Sequence, residues 1–266
     1  KRDDVKISFV VGRRADSPGV LMAQTAGVPV FVSGLSGLRD ALESYSADWV
    51  ADTSSAETHI EVREILNQRP SVKLLDFTPS PLSRPYCPGS LEQLPDDSDI
   101  GLISCGGQSS IPVIALLGER WRISSIELTS ALASRSVGPA TRENLDQYIS
   151  KTESAIRHYS GCSDVKVILI INPATPPINM RVSLFIQFEE TVPTKEVDAY
   201  LRSNLGRLER FIPNFKLIGD VAPAGDFALV SFQVTGLGDY LPPYAGNLDI
   251  LTHTAMEIFV DSQGAK

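Results

Sequence analysis

The sequence predicts an α/β protein with a parallel-sheet domain in its first part and an α+β domain after it. In the first part, short runs of β-branched residues alternate with helical segments, as at 28–32, 36–44 and 49–52. In the second part the strand-like runs are longer and polar residues alternate with apolar ones, as at 183–187 and 231–234. Such alternation is typical of antiparallel strands with one less buried face. A chain of 266 residues therefore favours two domains.

The first part alternates predicted strands and helices regularly. The predicted strands are 6–11, 28–32, 49–52, 72–76 and 100–104, and the predicted helices are 18–26, 36–44 and 56–68. Strand–helix–strand units connect right-handedly into a parallel sheet with a ligand crevice at the carboxyl ends of its strands. We therefore expect a Rossmann-like nucleotide-binding domain in residues 1–104.

The second part is predicted to be a catalytic and dimerisation domain of residues 105–244. Its predicted strands are 121–131, 166–171, 182–188 and 227–235, and its predicted helices are 144–159 and 195–208. An antiparallel sheet with one less buried face often carries a subunit interface, so we expect a homodimer. A last helix, 245–259, is expected to fold back, so that residues 245–266 join the first domain.

Composition narrows the class of partner. The net charge of -8 opposes nucleic-acid binding, and no apolar run is long enough to span a membrane. These observations, with no secretory leader at the start of the sequence, favour a cytoplasmic protein. The three cysteines have unrelated spacings, which disfavours disulfides and a structural metal site, and we expect no metal. Cys87 is expected to be a packed loop residue and Cys162 an exposed one.

Cys105 is the candidate nucleophile. It follows an apolar strand and precedes Gly106, Gly107 and an apolar helical run, so it is predicted to lie at a strand-to-helix turn. The unpaired amides of a helix N-terminus lower a thiol pKa and can hold an oxyanion. The alternative is that Cys105 is a small buried apolar residue, as most free cysteines are.

Five segments carry a family resemblance. They are 50–59, 103–112 (ISCGGQSSIP), 133–144, 171–181 and 240–252. In this order they resemble the CoA-acylating acetaldehyde dehydrogenases that work with a 4-hydroxy-2-oxovalerate aldolase. The resemblance implies that Cys105 attacks an aldehyde, that a hydride passes to NAD or NADP, and that coenzyme A releases the acyl group from a thioester. An aldolase partner is implied as well.

The resemblance also implies residues that contact the dinucleotide. They are Ser136, Val137, Gly138, Pro139, Ala140, Thr141, Arg142, Glu143 and Asn144, together with Asn247 near the C-terminus. Without the family, residues 136–140 would be an ordinary turn before a helix with Asn144 as its N-cap.

Two departures concern the dinucleotide. The strand ending at Gly12 aligns with the second strand of the family, and no Gly-rich phosphate loop is found in the sequence, so the first strand–helix unit is expected to be missing. Either that unit precedes the sequence given or the protein is a shortened homologue. Arg13 and Arg14 stand where the acidic ribose ligand of the family is expected, which favours NADP over NAD. The alternative for these arginines is a solvated surface pair.

A third departure concerns proton transfer. Val182 stands beside Arg181, where the family places an aspartate, and valine cannot accept a proton. The alternative function is therefore a repurposed or non-catalytic homologue, such as a partner subunit or a biosynthetic enzyme acting on another thioester. Reduction of an acyl phosphate is a further alternative that shares the cysteine mechanism. His59 lies in the matched segment 50–59, but a histidine at a helix start is more often structural.

Overall fold

The structure, a computed structural model, describes residues 4–264 without the side chains of 139, 140, 263 and 264. The elements of the first part are β1 (Val10–Val11), α1 (Pro18–Thr25), β2 (Val30–Phe31), α2 (Leu35–Ser44), β3 (Trp49–Asp52), α3 (Ala56–Asn67), β4 (Lys73–Asp76), β5 (Arg84–Pro85) and β6 (Asp99–Gly101).

The elements of the second part follow. They are α4 (Cys105–Gly118), β7 (Ile123–Ala133), a 3₁₀ turn (Ser134–Ser136), α5 (Pro139–Glu143), α6 (Leu145–Ser160), β8 (Asp164–Asn172), β9 (Met180–Phe188), α7 (Thr194–Ser203), α8 (Leu205–Phe211), β10 (Phe215–Leu217), β11 (Ala222–Ala224), β12 (Phe227–Val234), a second 3₁₀ turn (Pro243–Ala245) and α9 (Gly246–Gly264).

The first part forms two parallel sheets. One pairs β1 with β2, and the other has the order β3-β4-β6-β5. A cleft of about 2910 Å³ lies between them, lined by residues 4–13 on one side and 46–55 on the other. In a doubly wound sheet of order 3-2-1-4-5-6, the first strand lies between the second strand and the fourth. The resemblance aligns β1 with the second strand of the family, so β3 corresponds to the fourth. The cleft between β1 and β3 therefore lies at the position of the first strand.

The second part contains one mixed sheet of six strands. Its order is β10-β12-β9-β7-β8, with β11 paired to β12. All of its pairings are antiparallel except β7 with β8. Alternate residues of β7, β9 and β12, such as Leu128, Leu184 and Phe232, are fully buried in the largest hydrophobic cluster. Their neighbours on the other face, such as Thr129 and Phe185, are only partly buried. The α/β fold class is confirmed.

Helix α9 connects the end of the chain to the first part. Ala255 and Ile258 pack with Leu75 and Ile100 of the four-stranded sheet in one buried cluster. The Trp49 and Phe259 rings lie 5.6 Å apart between centroids. The boundaries of the two domains at 104/105 and 244/245 stay predictions.

Several predicted elements are wrong in extent, and two of these differences have a clear structural cause. The strand 6–11 is reduced to Val10–Val11, because β1 pairs only with the short β2 and its other edge faces the cleft. The helix 195–208 is two helices, because Asn204 leaves helical geometry with φ -118° and ψ 14°. The Asn204 side chain donates to the Tyr200 carbonyl, in competition with the helical backbone.

Cys162 is not exposed as expected. Its side chain is buried, and the thiol donates to the Ser124 carbonyl at 3.0 Å. Cys87 is buried, as predicted for a packed loop residue. Across residues 4–264, no helix combines the length and the apolar character that crossing a membrane requires.

Candidate active site around Cys105

The Cys105 thiol lies on the first residue of α4. Ser104 before it has an extended backbone, and its Oγ accepts a hydrogen bond from the Gly107 amide at 3.0 Å. The same hydroxyl lies 2.7 Å from Thr152 Oγ1 on α6. Ser104 therefore caps the helix and ties its start to α6. The predicted strand-to-helix turn at Cys105 is confirmed.

Helix α6 places a tyrosine hydroxyl beside the thiol. Tyr148 Oη lies 3.4 Å from Cys105 Sγ and accepts a hydrogen bond from the Gly106 amide at 3.1 Å. Tyr148 and Thr152 are four residues apart on the helix, so both face α4 from the same side. The Tyr148 side chain and the thiol are both buried.

Burial decides the acidity of the thiol. It raises the pKa of Cys105 above the ordinary value, while the hydrogen bonds from Tyr148 and from the Gly106 and Cys105 amides lower it in part. The prediction that the helix terminus gives a net lowering of the Cys105 pKa is wrong, because only 6% of the residue is exposed. At neutral pH the thiol is mostly protonated in the free protein.

The space around Gly106, the residue after Cys105, is too small for a side chain. A Cβ on Gly106 would lie 2.7 Å from Tyr148 Oη and 2.8 Å from Ser130 Oγ. Glycine therefore lets both hydroxyls approach the start of α4. Ser130 lies on β7 and is fully buried, and its Oγ has no hydrogen-bond partner within residues 4–264.

Val182 lies directly opposite Ser130 in the β7–β9 ladder. It is fully buried on the face of the sheet that packs against the helices. The resemblance places an aspartate at this position, and a buried aliphatic side chain stands there instead. The polar group beside the Cys105 sulfur is the Tyr148 hydroxyl.

Two of the predicted dinucleotide residues are in contact. Asn247 Nδ2, near the start of α9, donates to the Ser136 carbonyl at 3.0 Å. Both side chains are buried, and Asn247 Oδ1 has no hydrogen-bond partner in the described part of the chain. A buried amide oxygen without a partner is free to bind a ligand donor. This contact joins positions that are 111 residues apart in sequence.

The rest of the predicted stretch forms the turn that leads into α5. Arg142 closes this turn, because its guanidinium donates to the carbonyls of Val137 and Ser134. Val137 is buried and Gly138 is exposed. Within α5, Thr141 is partly buried, and the side chains of Pro139 and Ala140 lie outside the described part of the structure.

Glu143 and Asn144 end the predicted stretch. Glu143 lines the cleft between the two parallel sheets. Asn144 lies between α5 and α6, where its carbonyl accepts the Tyr148 amide at 3.0 Å. It stands at the N-cap position of α6, but its side chain forms no capping hydrogen bond.

The two arginines after β1 differ in their surroundings. Arg14 is exposed and held by Asp16, with Nη2 2.6 Å from the carboxylate. Arg13 lines the cleft between the sheets.

A buried polar network lies at the carboxyl ends of β3 and β4. His59 Nδ1 donates to Asp52 Oδ2 at 2.8 Å and lies 3.5 Å from Asp76 Oδ1, and His59 Nε2 lies 3.0 Å from Ser83 Oγ. Asp52, His59 and Asp76 could together hold a metal, because one ligand atom of each lies within 4.8 Å of the others. Here His59 hydrogen-bonds Asp52 and Ser83, and Asp76 accepts a hydrogen bond from the Thr78 amide in the loop after β4.

The two carboxylates of this network have opposite pKa shifts. Burial opposes ionisation of Asp52, but hydrogen bonds from His59 and Ser54 outweigh it and lower the Asp52 pKa. Burial raises the pKa of Asp76, whose Oδ2 has no hydrogen-bond partner in residues 4–264.

Sequence reasoning missed Tyr148, Ser130 and Thr152. A signal was available for two of them. Tyr148 and Thr152 lie on the same face of the predicted helix 144–159 as the apolar Ile156, and polar groups on a buried helix face need partners. Ser130 gave no such signal, because its closeness to Gly106 follows from how β7 packs against α4.

Comparison with known proteins identifies a family to which the chain is similar. Residues 105–242 match the family model described as "Prokaryotic acetaldehyde dehydrogenase, dimerisation". The chain is 33% identical over 258 residues to an acetaldehyde dehydrogenase of Shewanella pealeana, which covers 96% of this chain and 83% of that protein. An acetaldehyde dehydrogenase of Pectobacterium atrosepticum is 34% identical over 97% of this chain and 87% of its own length. Acetaldehyde dehydrogenase 1 of Comamonas testosteroni is 32% identical over 93% of this chain and 81% of its own length. The chain therefore belongs to the prokaryotic acetaldehyde dehydrogenase family.

Proposed function

We propose that this protein is a CoA-acylating aldehyde dehydrogenase that interconverts a small aldehyde, such as acetaldehyde, and its CoA thioester with a nicotinamide dinucleotide. One observation carries the proposal. Cys105 begins a capped helix beside a tyrosine hydroxyl, within the segment that matches the family. A cysteine at a helix N-terminus is suited to covalent acyl transfer.

Cys105 has two roles in this reaction. Its sulfur, as the thiolate, adds to the aldehyde carbon, and the carbonyl oxygen becomes the oxyanion of a thiohemiacetal. A bound nicotinamide dinucleotide would supply the hydride acceptor that is needed to oxidise this adduct to the Cys105 thioester. The CoA thiolate then adds to the thioester carbonyl, and the Cys105 thiolate leaves as acyl-CoA is released. Removal of the thiol leaves no atom to carry the acyl group.

We expect Cys105→Ala to lower CoA-dependent acetaldehyde oxidation by at least ~10³-fold, because covalent catalysis is lost. Cys162→Ala is the matched control, since Cys162 is also a buried thiol but lies outside the site. The readouts are reduced nicotinamide absorbance and, after incubation with acetyl-CoA, the mass of the peptide that contains Cys105. Full activity of Cys105→Ala, or acetylation at another residue, would contradict the proposal.

We propose that the dinucleotide lies at the carboxyl ends of β1 and β3, at the edge of the cleft between the parallel sheets, with Asn247 and Ser136 as further contacts. The position of Arg13 along the cleft supports a preference for NADP, since arginine can pair with a 2′-phosphate. Arg13→Ala is expected to weaken NADPH binding about tenfold and leave NADH binding nearly unchanged. Asp16→Ala, which releases Arg14 from its ion pair, is the comparison variant. Binding of NADH at least tenfold tighter than NADPH would rule out this preference.

We propose a homodimer formed through the less buried face of the six-stranded sheet. This face carries partly buried side chains such as Phe185, Thr129 and Ser231, and the matching family model is described as a dimerisation region. Phe185→Glu is expected to yield monomers in sedimentation velocity, because it places a charge in that interface. The aldolase partner stays a prediction.

A further inference from the structure

We propose that Tyr148 is a catalytic residue of this protein: its hydroxyl donates a hydrogen bond to the Cys105 thiolate. The role in turnover rests on the proposed function, whereas the effect on the thiol does not. The structure places Tyr148 Oη 3.4 Å from Cys105 Sγ. This distance is within hydrogen-bond range for sulfur, and the contact is made inside the core.

The Gly106 amide orients the tyrosine hydroxyl. It donates to Tyr148 Oη at 3.1 Å, so one lone pair of that oxygen is occupied and the O–H is left to be donated. Gly106 has no side chain, and any Cβ there would collide with this oxygen at 2.7 Å. The start of α4 can therefore accommodate the Tyr148 hydroxyl beside Cys105 because residue 106 is glycine.

The direction of the hydrogen bond follows from the surroundings of the phenol. Burial raises the pKa of Tyr148 well above its ordinary value, so the phenol keeps its proton. A phenol that keeps its proton cannot act as the general base, but it is a good donor to an anion. The thiol proton accordingly leaves to water, and the O–H···S⁻ hydrogen bond stabilises the anion left behind.

Position 182 explains why this donor matters in this chain. Val182 is buried opposite Ser130, so that side chain can neither accept a proton nor hydrogen-bond the sulfur. A donor to the thiolate acts twice in the proposed cycle. It stabilises the nucleophile before attack and the same thiolate when CoA displaces it from the thioester.

The test is the pH dependence of Cys105 alkylation by iodoacetamide, which does not require turnover. Peptide mass spectrometry follows Cys105 separately from Cys87 and Cys162. Tyr148→Phe is expected to raise the Cys105 pKa by about one to two units, the effect of losing a hydrogen bond to a charged group. Tyr159→Phe is the matched control, because its hydroxyl lies on the same helix but donates to the Pro85 carbonyl. An unchanged Cys105 pKa in folded Tyr148→Phe would overturn the proposal.

A second variant separates hydrogen bonding from packing. Site-specific 2-fluorotyrosine at position 148, with its fluorine meta to the hydroxyl, keeps the ring and a protonated phenol and makes the hydroxyl a stronger donor, so the Cys105 pKa is expected to fall below that of the unmodified protein. A Cys105 pKa that stays the same or rises in this protein refutes the donor role, even where Tyr148→Phe does not fold. Acetaldehyde oxidation is assayed in parallel. A shifted thiol pKa in a protein without this activity would refute the proposed function and leave the hydrogen bond established.

Discussion

The two parts of the molecule are built from strands of very different length. The strands of the first part have two to four residues and form two separate parallel sheets. The four longest strands of the second part have eight to eleven residues and lie in one sheet. The second part can hold the start of α4 rigidly, because β7 and α6 pack against it. The first part positions its polar groups through loops at strand ends.

The hydrophobic clusters of the two parts also differ in size. The large cluster of the second part contains most of the fully buried aliphatic side chains of β7, β9 and β12, whereas the clusters of the first part each contain six buried residues. Partly buried neighbours such as Val50 and Phe9 line one of these small clusters. A small cluster beside an open cleft can relax after a side chain is shortened, and a large one cannot.

The largest effect is expected in the long sheet. Leu128→Ala should lower the free energy of unfolding by about 3–5 kcal/mol, because Leu128 is fully buried at the centre of the large cluster. Leu74→Ala, with 2% exposure in a small cluster, should cost only about 2–3 kcal/mol, since its site can collapse. Urea unfolding of both variants measures the difference. Equal costs would mean that the two cores are packed equally tightly.

An intermediate effect on the free energy of unfolding, with a defined pH dependence, is expected at the buried network of Asp52, His59 and Asp76. Asp52 has a lowered pKa in the fold, so the stability it contributes is present above its ordinary pKa of about 3.9 and is lost as the pH falls through the folded value. Asp52→Asn should therefore lower the free energy of unfolding by about 1.5–3 kcal/mol at pH 7. This difference from wild type should disappear in acid.

Asp76→Asn is the matched control, with the opposite trend. The Asp76 pKa is raised, so the stability that Asp76 contributes is present below its ordinary pKa and is lost as the pH rises through the folded value. Relative to wild type, Asp76→Asn should gain stability with rising pH. Thermal unfolding between pH 3 and pH 7 follows both variants, and parallel pH curves for the two would contradict the assigned shifts.

The smallest effects compare a serine cap in each part. Ser55 Oγ accepts the Thr58 amide at the exposed start of α3, and Ser55→Ala should cost about 1 kcal/mol. Ser104 caps α4 in the core and also bonds Thr152, so Ser104→Ala should cost about 2 kcal/mol. Chemical denaturation gives both values. A larger loss of unfolding free energy for Ser55→Ala than for Ser104→Ala would contradict the expectation that the buried cap of α4 contributes more stability.

Much of the fold follows from periodicity. The α/β class, the antiparallel strands around β9 and β12, and a helix beginning at Cys105 were predictable, because alternation and helix-start signals are local. Two features of the structure could not be predicted, because they depend on tertiary contacts or on a specific side-chain hydrogen bond. The short β1 depends on having a partner on one edge only, and the break at Asn204 depends on a side chain bonding one turn back.

The surroundings of the nucleophile were predictable only in part. The glycines after Cys105 indicated close approach, and the family resemblance indicated the reaction. The groups that approach come from α6 and β7, and their identity follows from helix packing and strand register. The sign of the net thiol pKa shift depended on how deeply the start of α4 is buried, which the sequence does not reveal.

Helix α9 has a consequence for the order of folding during synthesis. Its Ala255 and Ile258 complete the cluster around Leu75 and Ile100, whose strands leave the ribosome much earlier. The four-stranded sheet therefore remains incompletely covered until α9 has been synthesised, since contacts of large sequence separation form late. The sheet around β7 and β9 draws most of its cover from helices between residues 105 and 211, with Ile250 of α9 as an addition, so most of it can fold first. Newly made chains that stall before α9 would expose apolar surface in the part made first.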